Sequence, residues 1–263
     1  MLSTNIAETS ITIPNCRYVI DSGREKRVVF NPNSNISEMR EVWISRASAE
    51  QRKGRAGRVR SGIVYRLFTR SKLRSLEPFT PPEMLRSPLD SLCLQILRMK
   101  LGDPQEVLAG CITPPSSESV ERALEVLQEI QAVVLHGKPR LTSLGNNLAD
   151  LPLDCRLGKM VIFGCLLRCV DSAVTIAAFL SQRSVFRAPL EKRDEMMACK
   201  RKFIYRFSDH LTLLRVFEEW QKASNRREFC YRNFINYESM LTVSTVSPWI
   251  RVNRSCDSSL WRS

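Results

Sequence analysis

Gln51-Arg-Lys-Gly-Arg-Ala-Gly-Arg58 is the stretch on which the reading of this sequence turns. Placed on a helix, Gln51, Arg55 and Arg58 fall at i, i+4 and i+7 and project from one face. Two guanidiniums and an amide on one face suit a phosphate group. Each guanidinium makes bidentate, charge-assisted bonds, and neither loses its proton. Gly54 and Gly57 lie between them. Glycine costs about 1 kcal/mol in a helix interior, and close approach to another backbone would account for placing two there. The competing readings are a solvated basic helix and a capping box. In the latter the helix opens at Ser48 and Gln51 reaches back to an amide. Capping accounts for Gln51, but not for two arginines in register with glycines.

Outward from this stretch the pattern alternates. Upstream, Arg17-Tyr-Val-Ile20 reads as a strand ending at Asp21-Ser-Gly23. Val28 to Phe30 and Glu41 to Ile44 are β-rich runs, and the turn-rich 31–37 between them suggests a long hairpin. Downstream, Ile63 to Phe68 is another strand candidate, so the first part reads as an α/β layer. After Pro78 prolines mark a boundary. Two helical patterns follow, one through Leu92, Ile96, Leu97 and Met99, the other with Val120, Leu124, Leu127 and Ile130 on one face. Two short strands around Gly137-Lys-Pro139 complete a pattern compatible with a winged helix. From Asp150 the pattern is nearly all helical, with candidates at 156–169, 173–180, 192–207, 209–223 and 230–240. The Ser-rich 242–263 is expected to be loosely ordered. The expected fold class is therefore α/β followed by mainly α.

Charge narrows the partners. The 263 residues carry a net +13, and the first 74 hold 15 Lys/Arg against 6 Asp/Glu. A basic surface concentrated near the amino end fits a polyanion, because lysine and arginine displace phosphate counterions on binding. Nine cysteines are scattered without a framework. Cys165 and Cys169 lack a second pair or a nearby histidine, so buried reduced thiols in a reducing compartment are expected rather than zinc. His136 reads as a turn residue and His210 as a helix-start residue. No apolar run is long enough to span a bilayer.

Gln51 to Arg58 resembles motif VI of superfamily 2 helicases in its DEAH/RHA form, and Ser3-Thr-Asn-Ile-Ala-Glu-Thr-Ser10 is similar to motif V of the same group. Ser87-Pro-Leu-Asp-Ser-Leu92 resembles the entry to the family's winged helix. Leu151 to Lys159 and Phe207 to Leu214 resemble its helical ratchet (HA2) domain, and Ile112-Thr-Pro-Pro-Ser and Phe163-Gly-Cys are closest to the DHX-type subgroup. The resemblance implies a partial RecA-like domain 2 over 1–78, a winged helix over 79–149, a ratchet over 150–241, and an unmatched tail over 242–263.

It also implies roles. Arg55 and Arg58 would be arginine fingers on the γ-phosphate of ATP, with Gln51 orienting that phosphate or the attacking water. Asp21 would lie on the nucleotide's ribose side, and Gly54 and Gly57 would belong to the same nucleotide-binding wall. Thr4, Asn5 and Thr9 would contact the RNA sugar-phosphate backbone, or, for Thr4 and Thr9, cap a strand-to-helix turn. The hairpin would separate strands at a duplex junction. Arg156 and Lys159 would face an RNA channel or simply solvent. Partners implied are RNA, a RecA-like domain 1 that would hold Mg²⁺, and a protein activator, in the cytoplasm or nucleus.

Two things an ATPase of this kind needs are missing from the sequence: a Gly-rich loop ending in Lys-Ser/Thr and an acidic strand end. Gly137-Lys138 and Gly158-Lys159 have the wrong neighbours, and Asp194-Glu-Met-Met197 has the wrong fourth residue. Hydrolysis by this polypeptide alone is not expected. A non-catalytic RNA- or protein-binding module, and a DNA-binding winged helix, stay open beside the helicase reading.

Overall fold

The computed structural model describes residues 1–11, 13–31, 36–57, 61–182 and 184–245. The chain divides into two compact units, Met1–Val126 and Leu127–Ser263.

In the first unit a short helix, α1 (Ile6–Thr9), precedes strand β1 (Tyr18–Asp21). Strands β2 (Arg24–Asn31) and β3 (Ile36–Trp43) form an antiparallel hairpin, with Arg24 opposite Trp43 and Asn31 opposite Ile36. The expected hairpin is thus present and longer than its β-rich runs indicated. Ile36 and Ser37, expected in a turn, are paired, because ladder hydrogen bonds satisfy their backbone whatever their turn propensity. At roughly 3.4 Å per residue each arm is about 27 Å long.

Helix α2 (Arg46–Gly54) and strand β4 (Ile63–Arg66) follow. β4 pairs in parallel with β1, Tyr18 opposite Ile63 and Asp21 opposite Arg66. One face of this ladder leaves Tyr18, Ile20, Ile63 and Tyr65 exposed. The small core beside it is Ile44, Ala49 and Leu76, with Trp43, Phe68 and Leu73 packed against it. Trp43 fixes the hairpin base. Arg24 lies over its ring at 3.6 Å and Lys72 at 4.7 Å, while Phe68 meets it edge-on.

The helix expected to open at Ser48 opens at Arg46. Ser45 is the N-cap, its Oγ accepting from Ser48 N at 3.1 Å, so Ser48 and Gln51 do not form the capping box considered above. The helix also ends sooner. Arg55 is its C-cap and 55–57 are turn, so the i, i+4, i+7 face is not continued past Gly54.

Helices α3 (Arg70–Ser75), α4 (Asp90–Arg98), α5 (Pro104–Ala109) and α6 (Ser117–Glu129) come next. Val120, Leu124, Leu127 and Ile130 are buried as their spacing required. Strands β5 (Val133–Val134) and β6 (Arg140–Leu141) form the short hairpin around Gly137, which sits at φ +79°.

The rest is helical: α7 (Ser143–Ala149), α8 (Cys155–Leu166), α9 (Val170–Leu180), α10 (Arg193–Arg201), α11 (Asp209–Lys222), α12 (Arg226–Arg232) and α13 (237–245). Gly164 lets α8 and α9 meet closely, since a Cβ there would lie 2.5 Å from Ala173 Cβ. The core gathers Phe179, Phe203, Val216, Phe217, Trp220, Cys230, Ile235, Met240 and Val243 among its buried residues.

Two expected helices break where the core demands it. The 192–207 helix stops at Arg201, so that Phe203 can turn inward and Ser208 can cap α11. The 230–240 helix becomes two, separated at Phe234 (φ +56°), whose carbonyl accepts from Arg187 N. The last helix runs past 241 to Thr245 because Val243 is a core residue. The remaining tail, 246–263, lies outside the described residues.

Candidate functional site

Asn5 and Thr9 lie at the two ends of α1 with Thr4 just before it, and Gln51, Gly54 and Arg55 lie on the last turn of α2 and its cap; α1 and α2 are in contact. Thr4, Asn5 and Thr9 are all exposed. Asn5 is the N-cap of α1 but makes no side-chain capping bond, and Thr9 Oγ1 meets only Ser10 Oγ, at 3.4 Å. The capping alternative for Thr4 and Thr9 therefore has no side-chain bond to support it here.

Gln51 is exposed on α2. Gly54 and Gly57 are exposed too, and an added Cβ at either would meet nothing within 4 Å. Among the described residues no backbone approaches either glycine closely. The close approach belongs instead to Gly62, where a Cβ would collide with the Ala56 carbonyl and lie 2.7 Å from Arg17 O. Sequence spacing alone did not single out that glycine. Arg58 lies outside the described residues.

Arg55 turns toward α1. Its Nη2 donates to Glu8 O and its Nη1 to Ile11 O at 3.3 Å. Carbonyls at the end of a helix lack intrahelical donors and carry partial negative charge, which a guanidinium satisfies. Those carbonyls neutralise no full charge, so Arg55 keeps a cation that is half-buried beside the exposed Gln51. An anion approaching the end of α2 from outside would find Gln51 and two bare glycines. Arg55 would join by exchanging two carbonyls for the anion.

Asp21 is not presented to solvent. It is 3% exposed. Its Oδ1 accepts from Gly23 N at 2.9 Å and from Arg52 Nη1 at 2.8 Å, and its Oδ2 is buried without a hydrogen-bond partner. In this structure its carboxylate faces Arg52.

Arg52 is the residue that sequence reasoning passed over. Nε donates to Glu8 Oε2 at 3.0 Å, Nη1 to Asp21 Oδ1 and, at 3.2 Å, to Arg24 O, and Nη2 lies 3.9 Å from Glu25 Oε2. Burial works against its charge, but the bonds to Asp21 and Glu8 outweigh it and hold its pKa above the ordinary value. Its partners lie 44, 31 and 27 residues away, so no local motif announces them.

Gly54 and Gly57 also line an open cleft of about 670 Å³, together with Glu50, Lys53, Gly62, Arg66 and Arg70. Arg66 binds Glu50 at 2.7 Å and Lys53 binds it at 3.0 Å, and these bonds hold the Glu50 carboxyl below its usual range.

Among the described residues no group of histidine, cysteine, aspartate and glutamate could hold a metal. Cys93, Cys155 and Cys230 are buried as expected. Cys169 is exposed, so the uniform burial expected of the thiols is not met. Lys159 donates to Ile130 O at 2.8 Å, which ties α8 to the end of α6 within its own unit. Among the described residues no helix is long and apolar enough to cross a membrane.

Comparison with known proteins identifies the family. Residues 1–60 match the helicase conserved C-terminal domain, and residues 154–213 the ratchet-like helicase-associated domain HA2. The chain is 41% identical over 252 residues to the human ATP-dependent RNA helicase DHX29, covering 94% of this chain and 18% of the relative. It is 40% identical over 250 residues to the Arabidopsis thaliana DExH-box ATP-dependent RNA helicase DExH3 (94% and 21%). It is 41% identical over 247 residues to the Bos taurus ATP-dependent DNA/RNA helicase DHX36 (91% and 24%). The chain thus spans about a fifth of the length of these relatives. With α1, α2 and the hairpin inside the first matched span and α8 to α10 inside the second, the chain belongs to the DEAH-type helicases and corresponds to their C-terminal helicase and ratchet-like regions.

Proposed function

We propose that this chain forms the C-terminal motor portion of an ATP-dependent RNA helicase. It would supply one wall of the nucleotide cleft and part of the RNA path. The observation that carries this reading is the 41% identity over 252 residues to a helicase so named, with Gln51 to Arg58 lying inside the matched helicase span. ATP would supply the free energy through cleavage of its terminal phosphate. Gln51, Arg55 and Arg58 would face that phosphate and stabilise the charge that develops on it. Thr4, Asn5 and Thr9 would hold RNA phosphates and sugars without reading sequence, a role that their exposure supports. The β2–β3 hairpin is the strand-separating element of this reading.

Residues 79–149 are the proposed winged helix, supported by three helices followed by a short β-hairpin. The exposed apolar face of the β1–β4 ladder supports a covering layer supplied from outside this chain, because parallel sheets are normally covered on both faces. Mg²⁺ and the phosphate-cradling loop would come from a first RecA-like domain, since this sequence has neither a GxxxxGK[ST] loop nor a DExH strand end. That absence is also the feature favouring the second reading, a binding module that holds RNA without turnover.

The test is RNA-stimulated ATP hydrolysis by a longer protein that joins this chain to a phosphate-binding half. Arg55→Ala and Arg58→Ala should each lower turnover by about 10²–10³-fold, the scale of losing a charge-stabilising donor, with RNA affinity mostly kept. Undiminished turnover in both variants removes the finger assignment. RNA binding without any turnover in the parent selects the module.

A further inference from the structure

Arg52 of α2 and Arg55, the residue that caps its end, hold the same residue of α1 in different ways. Arg55 takes the carbonyl of Glu8, and Arg52 takes its carboxylate. Arg52 goes further. Its three nitrogens reach α1 through Glu8, the end of β1 through Asp21, and the base of the hairpin through Arg24 O and Glu25. Glu25 is in turn held by Arg27 Nε at 2.8 Å, one pleat farther along the same strand.

The side chains of Arg52, Glu8, Asp21 and Glu25 are 15%, 10%, 1% and 9% exposed, so the junction is largely shielded from water and from salt. Three carboxylates face it, and only the planar five-donor fork of arginine spans all three together with a carbonyl. At the hairpin base Arg24 and Lys72 also both lie over the Trp43 ring. Strand β2 thus leaves the domain gripped at Arg24 twice, by backbone and by side chain.

We propose that Arg52 is a positioning residue that gangs α1 and the base of the β2–β3 hairpin to α2, so that these three elements move together. Resting on the helicase reading above, this makes Arg52 the link between the nucleotide-facing helix and both the RNA-facing segment and the strand-separating arm. Arg55 can exchange its carbonyl bonds for a phosphate without freeing α1, because the Arg52–Glu8 bond stays.

The tether is tested first in the chain itself, by amide hydrogen exchange of Arg52→Lys and of Glu25→Gln. Lysine keeps the charge but cannot span the three partners. Glu25→Gln leaves Arg52 on Glu8 and Asp21 and should fold if Arg52→Lys does not. Arg52→Lys should raise exchange by about tenfold in 6–9, 24–27 and 40–43, with the paired amides of β1 and β4 unchanged. Glu25→Gln should do so in 24–27 and 40–43 only. Exchange unchanged in both variants, or raised evenly through the first unit, overturns the tether.

The consequence is tested in the longer helicase by counting RNA strands separated per ATP hydrolysed. Arg52→Lys should lower that ratio about tenfold while ATP turnover stays within about threefold, a split that loss of folded protein cannot produce. A proportional fall in both overturns the coupling. A parent without ATP turnover defeats the helicase reading instead and leaves the exchange result to judge the tether.

Discussion

The polar junction around Arg52 and the aromatic cluster around Trp220 both fasten several chain segments at one point, but by different forces. In the first unit, α1, β1, β2 and α2 meet at a guanidinium ringed by carboxylates, beside a small apolar cluster of Ile44, Ala49 and Leu76. In the second, α9, α11, α12 and α13 meet at buried Phe179, Phe217, Trp220, Cys230 and Val243. Phe217 stacks on Trp220 with centroids 5.6 Å apart and meets Phe179 edge-on. Dispersion and apolar burial tolerate small shifts of angle and rotamer. A multidentate ion junction holds specific atoms at specific distances and loses most of its value when one partner moves. The first kind of fastening suits a scaffold, the second an element whose position carries information.

The sharpest way to break this contrast is to attack each junction at its centre. Trp220→Ala should destabilise the chain by about 3–5 kcal/mol, the range for emptying a buried aromatic site, read as a lower urea midpoint. Arg52→Met should cost about 3 kcal/mol because it leaves carboxylates buried without a counter-charge. Adding Glu8→Gln should then recover part of that loss, whereas Glu8→Gln alone destabilises. A double-mutant cycle giving no coupling would show that the junction is not electrostatic.

Gly62→Ala should cost about 1–3 kcal/mol by overpacking against the Ala56 and Arg17 carbonyls. Alkali should act on the aromatic cluster. Burial pushes the Cys230 thiol up from 9.0 to about 11. A raised folded-state pKa stabilises below the unfolded value, and that contribution is lost as pH climbs from about 9 to about 11. Near pH 10 the loss should be on the order of 1 kcal/mol in wild type and absent in Cys230→Ala, as followed by urea midpoints. The smallest effect has the opposite sign. Gly54→Ala should stabilise by about 0.5–1 kcal/mol, since the added methyl meets nothing and removes backbone freedom from the unfolded chain.

What could be read from the residues alone was periodic or local. Short β-rich runs gave β1 and β4, and the turn-rich stretch between two more of them gave the hairpin. Helical spacing gave α4 and the buried face of α6, and Gly137-Lys-Pro139 gave the β5–β6 turn. Gln51 to Arg58 beside Ser3 to Ser10 identified the family, because a motif of fixed spacing is a property of the chain itself. Helix ends were less legible. Ser45 rather than Ser48 caps α2, and α12 and α13 part at Phe234, because competing caps and core positions are settled only when neighbours pack.

The wiring of the site belonged wholly to the tertiary structure. Arg52 had no distinguishing mark within Gln51 to Arg58, and nothing near Asp21 at the end of its strand announced Arg52 as its partner. Bringing Glu8, Asp21 and Glu25 from 44, 31 and 27 residues away onto one guanidinium requires β1, the hairpin and α2 to be in place first. Electrostatic partnership depends on distance in space and on exclusion of water, and neither is written in sequence separation.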